Sequence, residues 1–259
     1  MERIERIVLL GAGNVATHLG AALQENGRRI LQVYSRTTGA AEILARKLDT
    51  DFTTDLNYIY PGADLYLFSL ADNAMEEALE NFPLKDVFGA HTSGSLSVDI
   101  LEKAGLRAGV FYPLQTFSKS IRPDFATIPF CIEAKTKSFR QALSELASAI
   151  SQDVRFIDSE QREIIHIAAV FACNFSNHLF SIAEEILESK EISFDIMYPL
   201  IQETIRKAMH EKPSLVQTGP AVRNDNKIIQ KHLNQLSSLP DYSNLYKFIS
   251  QSIKQNNKK

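Results

Sequence analysis

Apolar residues along this chain follow two rhythms. Up to about residue 157, short apolar runs alternate with stretches of helical period. Residues 4–10 (IERIVLL), 29–35 (RILQVYS), 65–70 (LYLFSL) and 87–91 (VFGAH) read as buried strands. AGVFYPL opens another, and IPFCIEA and DVRFID extend the sheet on either side of the helix KSFRQALSELASAIS. In THLGAALQEN and the residues before it, Val15, Leu19, Ala22 and Leu23 share one helical face, and Asn26-Gly27 is a stop signal. TTGAAEILARKL, AMEEALENF and VDILEKAG are the next helices. Strands alternating with helices at this spacing predict an α/β fold with a doubly wound parallel sheet.

The rhythm changes after Asp158. No Gly or Pro interrupts the helical pattern from 159 to about 190, and Asp158 with Gln161 three residues on forms a capping box. Such a helix would be about 45 Å long at 1.5 Å per residue. Further helices are expected at about 194–211, 221–237 and 242–254, with MYP at 197–199 delaying or kinking the first. The chain therefore divides into a sheet domain, residues 1–157, and an all-α domain, residues 158–259, led by one long helix.

Composition narrows the function. The 259 residues are 44% hydrophobic with a net charge of −3, which gives no basic excess for nucleic acid. No run approaches the ~20 apolar residues of a membrane span, and no signal peptide is visible. Cys131 and Cys173 lie far apart in apolar runs, as buried thiols of a cytoplasmic protein do. No histidine sits with Asp, Glu or Cys at ligand spacing, so no metal is expected. The terminal KQNNKK reads as a frayed tail.

The first chemical signal is G-x-G-x-x-A at Gly11, Gly13 and Ala16, directly after a strand. Gly11 permits the tight turn and Gly13 the approach of a pyrophosphate. Ala16 allows close packing, and the helix start offers free N–H donors. Gly11, Ala12, Gly13, Asn14 and Val15 are thus candidate dinucleotide-binding residues. An NAD site wants an acid at the end of the second strand. That place holds Ser35, Arg36, Thr37 and Thr38, which suit a 2′-phosphate, and NADP is the expected cofactor. The alternative is a plain surface loop. Leu70, Ala71 and Asp72 end another strand over the cofactor edge, where Asp72 either faces the cofactor or caps the next helix.

Further polar groups point to a cleft. His91 and Ser93 in AHTSGS end a strand at the ligand-binding edge, suited to proton exchange and to bonding a substrate oxygen. Ser95 or Ser97 also suits a helix cap. FYPLQTF places Tyr112, Gln115 and Thr116 as pocket wall. HIAAVFACNFSNHL reads as the middle of a buried helix. On a straight helix Asn177 lies about 20° round from His166, Asn174 about 80° and His178 about 120°. This polar flank faces either a cleft or a subunit interface. In TGPAVRND, Thr218 and Pro220 suit a helix start that, with Arg223, would take an anion; the alternative is a surface ion pair oriented by Asp225.

The stretches LLGAGNVATHL, HTSGSLS, FYPLQTF, HIAAVFACNFSNHL and TGPAVRND together resemble bacterial proteins regarded as NADP oxidoreductases, with a Rossmann-like domain and a C-terminal helical domain of uncharacterised function. More distantly the chain resembles pyrroline-5-carboxylate reductase and the 6-phosphogluconate and β-hydroxyacid dehydrogenases. The resemblance implies a nicotinamide cofactor, a substrate cleft between the domains and a homodimer through the helical domain. The β-hydroxyacid dehydrogenases carry a catalytic lysine four residues before a helix asparagine. Asn174 matches that asparagine, but Val170 stands at the lysine position, leaving His91 and His166 as proton-relay candidates. Asn224 replaces a more usual glycine.

Two functions follow as expectations. One is an NADP-dependent oxidoreductase moving a hydride between the nicotinamide and a small carbonyl, alcohol or imine. Its catalytic candidates are His91, Ser93, His166 and Asn174, and its substrate-binding candidates are Gln115, Asn177, His178 and Arg223. The lost lysine points toward an imine, which can arrive protonated. The other is a non-catalytic NADP(H) sensor.

Overall fold

The computed structural model describes residues 3–256, so Asn257–Lys259 of the expected frayed tail lie outside the described residues. Strands β1 (Arg6–Leu10), β2 (Arg29–Tyr34), β3 (Asp51–Thr53), β4 (Leu65–Phe68), β5 (Phe88–His91), β6 (Arg107–Pro113), β7 (Phe130–Ala134) and β8 (Val154–Phe156) form one sheet in the order β3-β2-β1-β4-β5-β6-β7-β8. Helices α1 (Asn14–Glu25), α2 (Thr38–Lys47), α3 (Asp72–Glu80), α4 (Asp99–Lys103) and α5 (Lys137–Ser148) cover it.

The central strands are buried on both faces, as parallel strands under helices must be. Ile7 and Leu9 of β1 join Leu67, Phe111 and Phe130 under α1, α2 and α5. Val8 and Leu10, pointing the other way, join Tyr66, Phe68 and Val110 under α3 and α4. The α/β architecture is the one that the alternation predicts. The sheet departs from it once: β7 runs antiparallel to β6. Residues 114–129 contain a short 3-10 turn, Phe125–Thr127, and no α-helix. A parallel return needs a long crossover, whereas a chain turning straight back pairs antiparallel. The edge strand β3 went unseen in the sequence because it is three residues long and largely exposed.

The capping box forms as expected. The Asp158 carboxylate accepts from the Gln161 N–H, and the Gln161 side chain accepts from the Asp158 N–H. The long helix then differs from expectation. It runs as α6 (Ser159–Ala169), a π-helical segment Val170–Phe175 and α7 (Ser176–Glu188). The π segment changes the angular phase, so the flank reckoned for a straight helix does not carry across it. Nor is the helix buried in the single chain: Phe171 is 65% and Phe175 48% exposed, with Ile164, Ile167 and Leu179 also open. Cys173 is exposed too, while Cys131 is buried; both are free thiols. By length and composition alone, with a mean hydropathy of 1.3 over its apolar window, Ser159–Glu188 is long and apolar enough to cross a membrane.

By internal packing the chain divides after Cys173 rather than at the foot of the helix. The reason is a buried ion pair. Arg162 of α6 is fully buried, its Nη1 2.6 Å from Glu133 Oε2 on β7. Its Nη2 donates to the Leu96 carbonyl and to Ser159 Oγ. These bonds make the first turns of the helix part of the sheet unit.

From Asn174 onward the chain continues through α7, a 3-10 turn, α8 (Tyr198–His210), α9 (Asn226–Gln235) and α10 (Pro240–Asn256). The expected helix start at Thr218-Gly219-Pro220 does not form. Helix α9 begins at Asn226, capped by the Asp225 carboxylate, which accepts from the Ile228 N–H at 3.1 Å. Asn224 adopts φ 54°, a conformation that glycine takes freely and asparagine tolerates.

Replacing Arg162 with Met would strand Glu133, and losing one partner of a buried pair costs roughly 3–5 kcal/mol. Urea unfolding of Arg162→Met is expected to show that loss for the sheet unit. The double variant with Glu133→Gln should regain part of it. A loss below about 1 kcal/mol would contradict the buried-pair account.

Candidate functional site

The loops after β1, β4, β5 and β6 share one edge of the sheet, and the strand order reverses between β1 and β4. Ligands of open α/β sheets bind at such a reversal. Gly11 there has φ +125°, and a Cβ on it would stand 2.2 Å from the Ser69 carbonyl oxygen. Only glycine fits. A Cβ on Gly13 would meet nothing within 4 Å. No side chain caps the start of α1, and Ala16 is fully buried beneath it. This is an open, donor-rich cradle for an anion.

The other turn residues contribute backbone rather than side chain. Ala12 is buried, and Val15 packs against the core. The Asn14 amide donates to the Phe117 carbonyl at 2.8 Å, and His18 Nε2 bonds the Ser118 carbonyl at 2.8 Å. The segment after β6 is thereby tied to α1, a link that the sequence did not reveal.

Beside the end of β2, a cavity of about 300 Å³ is lined by Tyr34, Arg36, Leu70, Ala74 and Glu77, among others. Arg36 Nη1 lies 3.4 Å from Glu77 Oε2, with both side chains over 60% exposed. So exposed a pair is weak and leaves the guanidinium available to a phosphate. Ser35 Oγ accepts from the Thr37 N–H at 3.3 Å, shaping the loop, and Thr37 precedes α2 without a side-chain cap bond. Ala71 and Asp72 are exposed. Asp72 does not cap α3; its carboxylate accepts from the Ser95 hydroxyl.

The loop after β5 is tightly wired. Ser93 Oγ accepts from the N–H groups of Ser95 and Leu96, each at 3.1 Å. That hydroxyl shapes its own loop first. At the start of α4 the Ser97 hydroxyl accepts from the Asp99 N–H at 3.2 Å, and the Val98 N–H donates to Ser159 Oγ at 3.0 Å. His91 is fully buried, its Nδ1 accepting from the Ser93 N–H at 3.2 Å and its Nε2 without a protein partner. Burial first, then the Arg162 charge, lowers its pKa to about 4. A ring so placed is neutral near pH 7, which weighs against the proton exchange expected of it.

His166 stands differently. It is half-buried on α6, with Nδ1 3.4 Å from Tyr112 Oη at the end of β6. Gly94 lies against both: a Cβ there would fall 2.7 Å from His166 Nδ1 and 2.9 Å from Tyr112 Cζ. Tyr112, read from the sequence only as wall, and Gly94 thus converge with His166. Gln115 is exposed, its Oε1 accepting from the Thr116 N–H at 2.8 Å. In the second unit, Asn174 lies in the π segment, Asn177 and His178 are exposed on α7, and Arg223 is exposed in the turns before α9. Asp225, expected to orient Arg223, caps α9 instead. Among the described residues no cluster of His, Cys, Asp or Glu is arranged to hold a metal.

The chain is 44% identical to a Bacteroides fragilis protein to which NADP oxidoreductase activity has been attributed; the match covers 97% of this chain and 98% of that one, with a TM-score of 0.92. The chain belongs to the family of that protein. Residues 128–253 match a family described as a domain of unknown function, DUF2520. A Thermotoga maritima protein shares the fold at 19% identity, covering 98% of this chain and 100% of its own, with a TM-score of 0.79. So does an imine reductase from Myxococcus stipitatus in complex with NADP+, at 14% identity, 96% and 92% coverage and a TM-score of 0.66. No curated protein matches.

The depressed pKa of His91 has a consequence for stability. Between its ordinary 6.5 and about 4 the unfolded chain binds a proton that the folded chain refuses. Stability is therefore lost as pH falls through that window, by about 3 kcal/mol. Denaturant titrations from pH 7 to 4 are expected to show a shallower loss in His91→Gln than in the wild type; parallel slopes would refute it.

Proposed function

We propose that the chain is an NADP-dependent oxidoreductase acting on a small carbonyl, alcohol or imine. The observation that carries this reading is the pairing of the open Gly13 turn with the Arg36-lined cavity at the strand-order reversal. The backbone of Gly11 to Val15 would hold the pyrophosphate, and Ser35, Arg36 and Thr37 the 2′-phosphate. Leu70, Ala71 and Asp72 would lie along the cofactor. When bound, NADPH supplies a hydride. Membership in the Bacteroides protein's family supports the same reading.

On the substrate side, His166 handles the proton in this proposal. Ser93 and His91 shape the loop beneath it. Asn174, Gln115, Asn177, His178 and Arg223 are the side chains proposed to bind the substrate. The rival reading, an NADP(H) sensor without turnover, draws its support from Val170 at the lysine position. The open apolar side chains of Ser159–Glu188 support a homodimer through the helical half. Protein rather than lipid suits that helix, because His166, Asn174, Asn177 and His178 would be costly in a bilayer. Reduced thiols fit a cytoplasmic setting.

Replacing Arg36 with Ala is expected to weaken NADPH binding at least tenfold, about 1.4 kcal/mol, and NADH binding less than twofold. Fluorescence titration reads both; equal losses would remove the 2′-phosphate assignment. Light scattering should give twice the 29.0 kDa of one chain. A 29.0 kDa particle at micromolar concentration would refute the dimer.

A further inference from the structure

The contact between Tyr112 and His166 says more than that two polar groups meet. Three segments converge on it: the loop after β5 through Gly94, the end of β6 through Tyr112, and α6 through His166. The rings meet edge to face, centroids 6.5 Å apart at 74°, with the hydroxyl aimed at Nδ1. No side chain other than glycine's hydrogen fits at 94 without pushing the pair apart. Tyr112 is almost wholly buried, and burial pushes its pKa up to about 12, Cys131 and Asp72 adding to the rise and Arg162 opposing it. The phenol therefore keeps its hydrogen across the physiological range, and a phenol with its hydrogen can donate.

We infer that Tyr112 is a positioning residue for His166: its hydroxyl donates to Nδ1, so that the neutral ring carries its hydrogen on Nε2. A charged ring carries hydrogen on Nε2 as well. The site then presents an N–H in either state of the imidazole. Such a site recognises an acceptor at the reacting atom: a carbonyl oxygen or an unprotonated imine nitrogen. A cationic iminium, which offers no lone pair, is disfavoured. This assignment rests on the oxidoreductase reading, and it turns the choice of substrate away from the protonated imine favoured by the missing lysine.

The step balances as follows for a ketone. The carbonyl carbon gains a hydride from the reduced nicotinamide dinucleotide, and the π electrons of the C=O bond move to oxygen. The oxygen takes the Nε2 proton of the His166 imidazolium, which leaves the ring neutral with its hydrogen on Nδ1 and the Tyr112 hydroxyl accepting from it until solvent reprotonates Nε2. An alcohol and the oxidised dinucleotide leave, and the ring regains its proton from water. The 3.4 Å separation is long for a hydrogen bond, as catalytic hydrogen bonds often are before substrate arrives.

The test uses the full chain labelled with 15N-histidine. Long-range 15N–1H correlation spectra are recorded at alkaline pH, with His166→Asn identifying the signals. The expected wild-type result is hydrogen on Nε2, and Tyr112→Phe should mix the two tautomers with NADPH affinity within twofold of wild type. Hydrogen on Nδ1 in the wild type, or an unchanged ring in Tyr112→Phe, overturns the positioning role whatever the cofactor does. NADPH titration tests the underlying reading separately: an Nε2–H ring in a chain that binds no NADPH overturns the substrate assignment alone. With NADPH, cyclohexanone is expected to be reduced at least tenfold faster than N-methylpyrrolinium. Any other order, or no reduction of either, overturns the acceptor preference.

Discussion

The meeting of Tyr112 and His166 depends on one buried cation. Arg162 lies wholly inside the sheet unit, paired with Glu133 and bonded to the Leu96 carbonyl. Its two arms join α6 to β7 and to the loop after β5. His166 stands one turn further along the same helix and meets Tyr112 only because that turn is held in place. The same charge helps keep His91 neutral beneath the loop. A buried ion pair is a poor source of net stability compared with apolar packing, but it is demanding about geometry. Here it sets the register of a helix against β7 and the loop after β5.

The dinucleotide half of the fold was largely legible. Short apolar runs bounded by glycine and helical stretches read as buried strands, and the Gly11–Ala16 motif declares its turn because only glycine fits at position 11. The antiparallel β7 was not legible as such. Strand direction depends on what joins β6 to β7, and residues 114–129 carry no pattern that announces their lack of a crossover helix. The α9 start was misplaced because Pro220 and Asp225 both suit a helix entrance, and the carboxylate took the role.

The chemistry was legible by residue type and not by contact. His166 stood out as a polar residue on an apolar helix. Tyr112 and Gly94 did not, since their significance lies in meeting His166, which is 54 positions beyond Tyr112 in the chain. The warning sign in the sequence was a pair of opposite charges, Glu133 in an apolar strand and Arg162 on a helix face, each costly alone. His91 misled because the end of a strand can be either cleft or core, and only packing decides which. The π segment misled more thoroughly. Nothing in VFACNF marks a widened turn, yet it alters every angular relation reckoned across it.

The ties from Asn14 to Phe117 and from His18 to Ser118 bring residues about a hundred positions apart onto one helix end. The segment following β6 thus rests on the very turn that would cradle a pyrophosphate. Lengthening or shortening that segment cannot be a local edit, because its carbonyls serve as anchor points for the first helix. Among natural or engineered relatives, its length and the identities of Asn14 and His18 should change together.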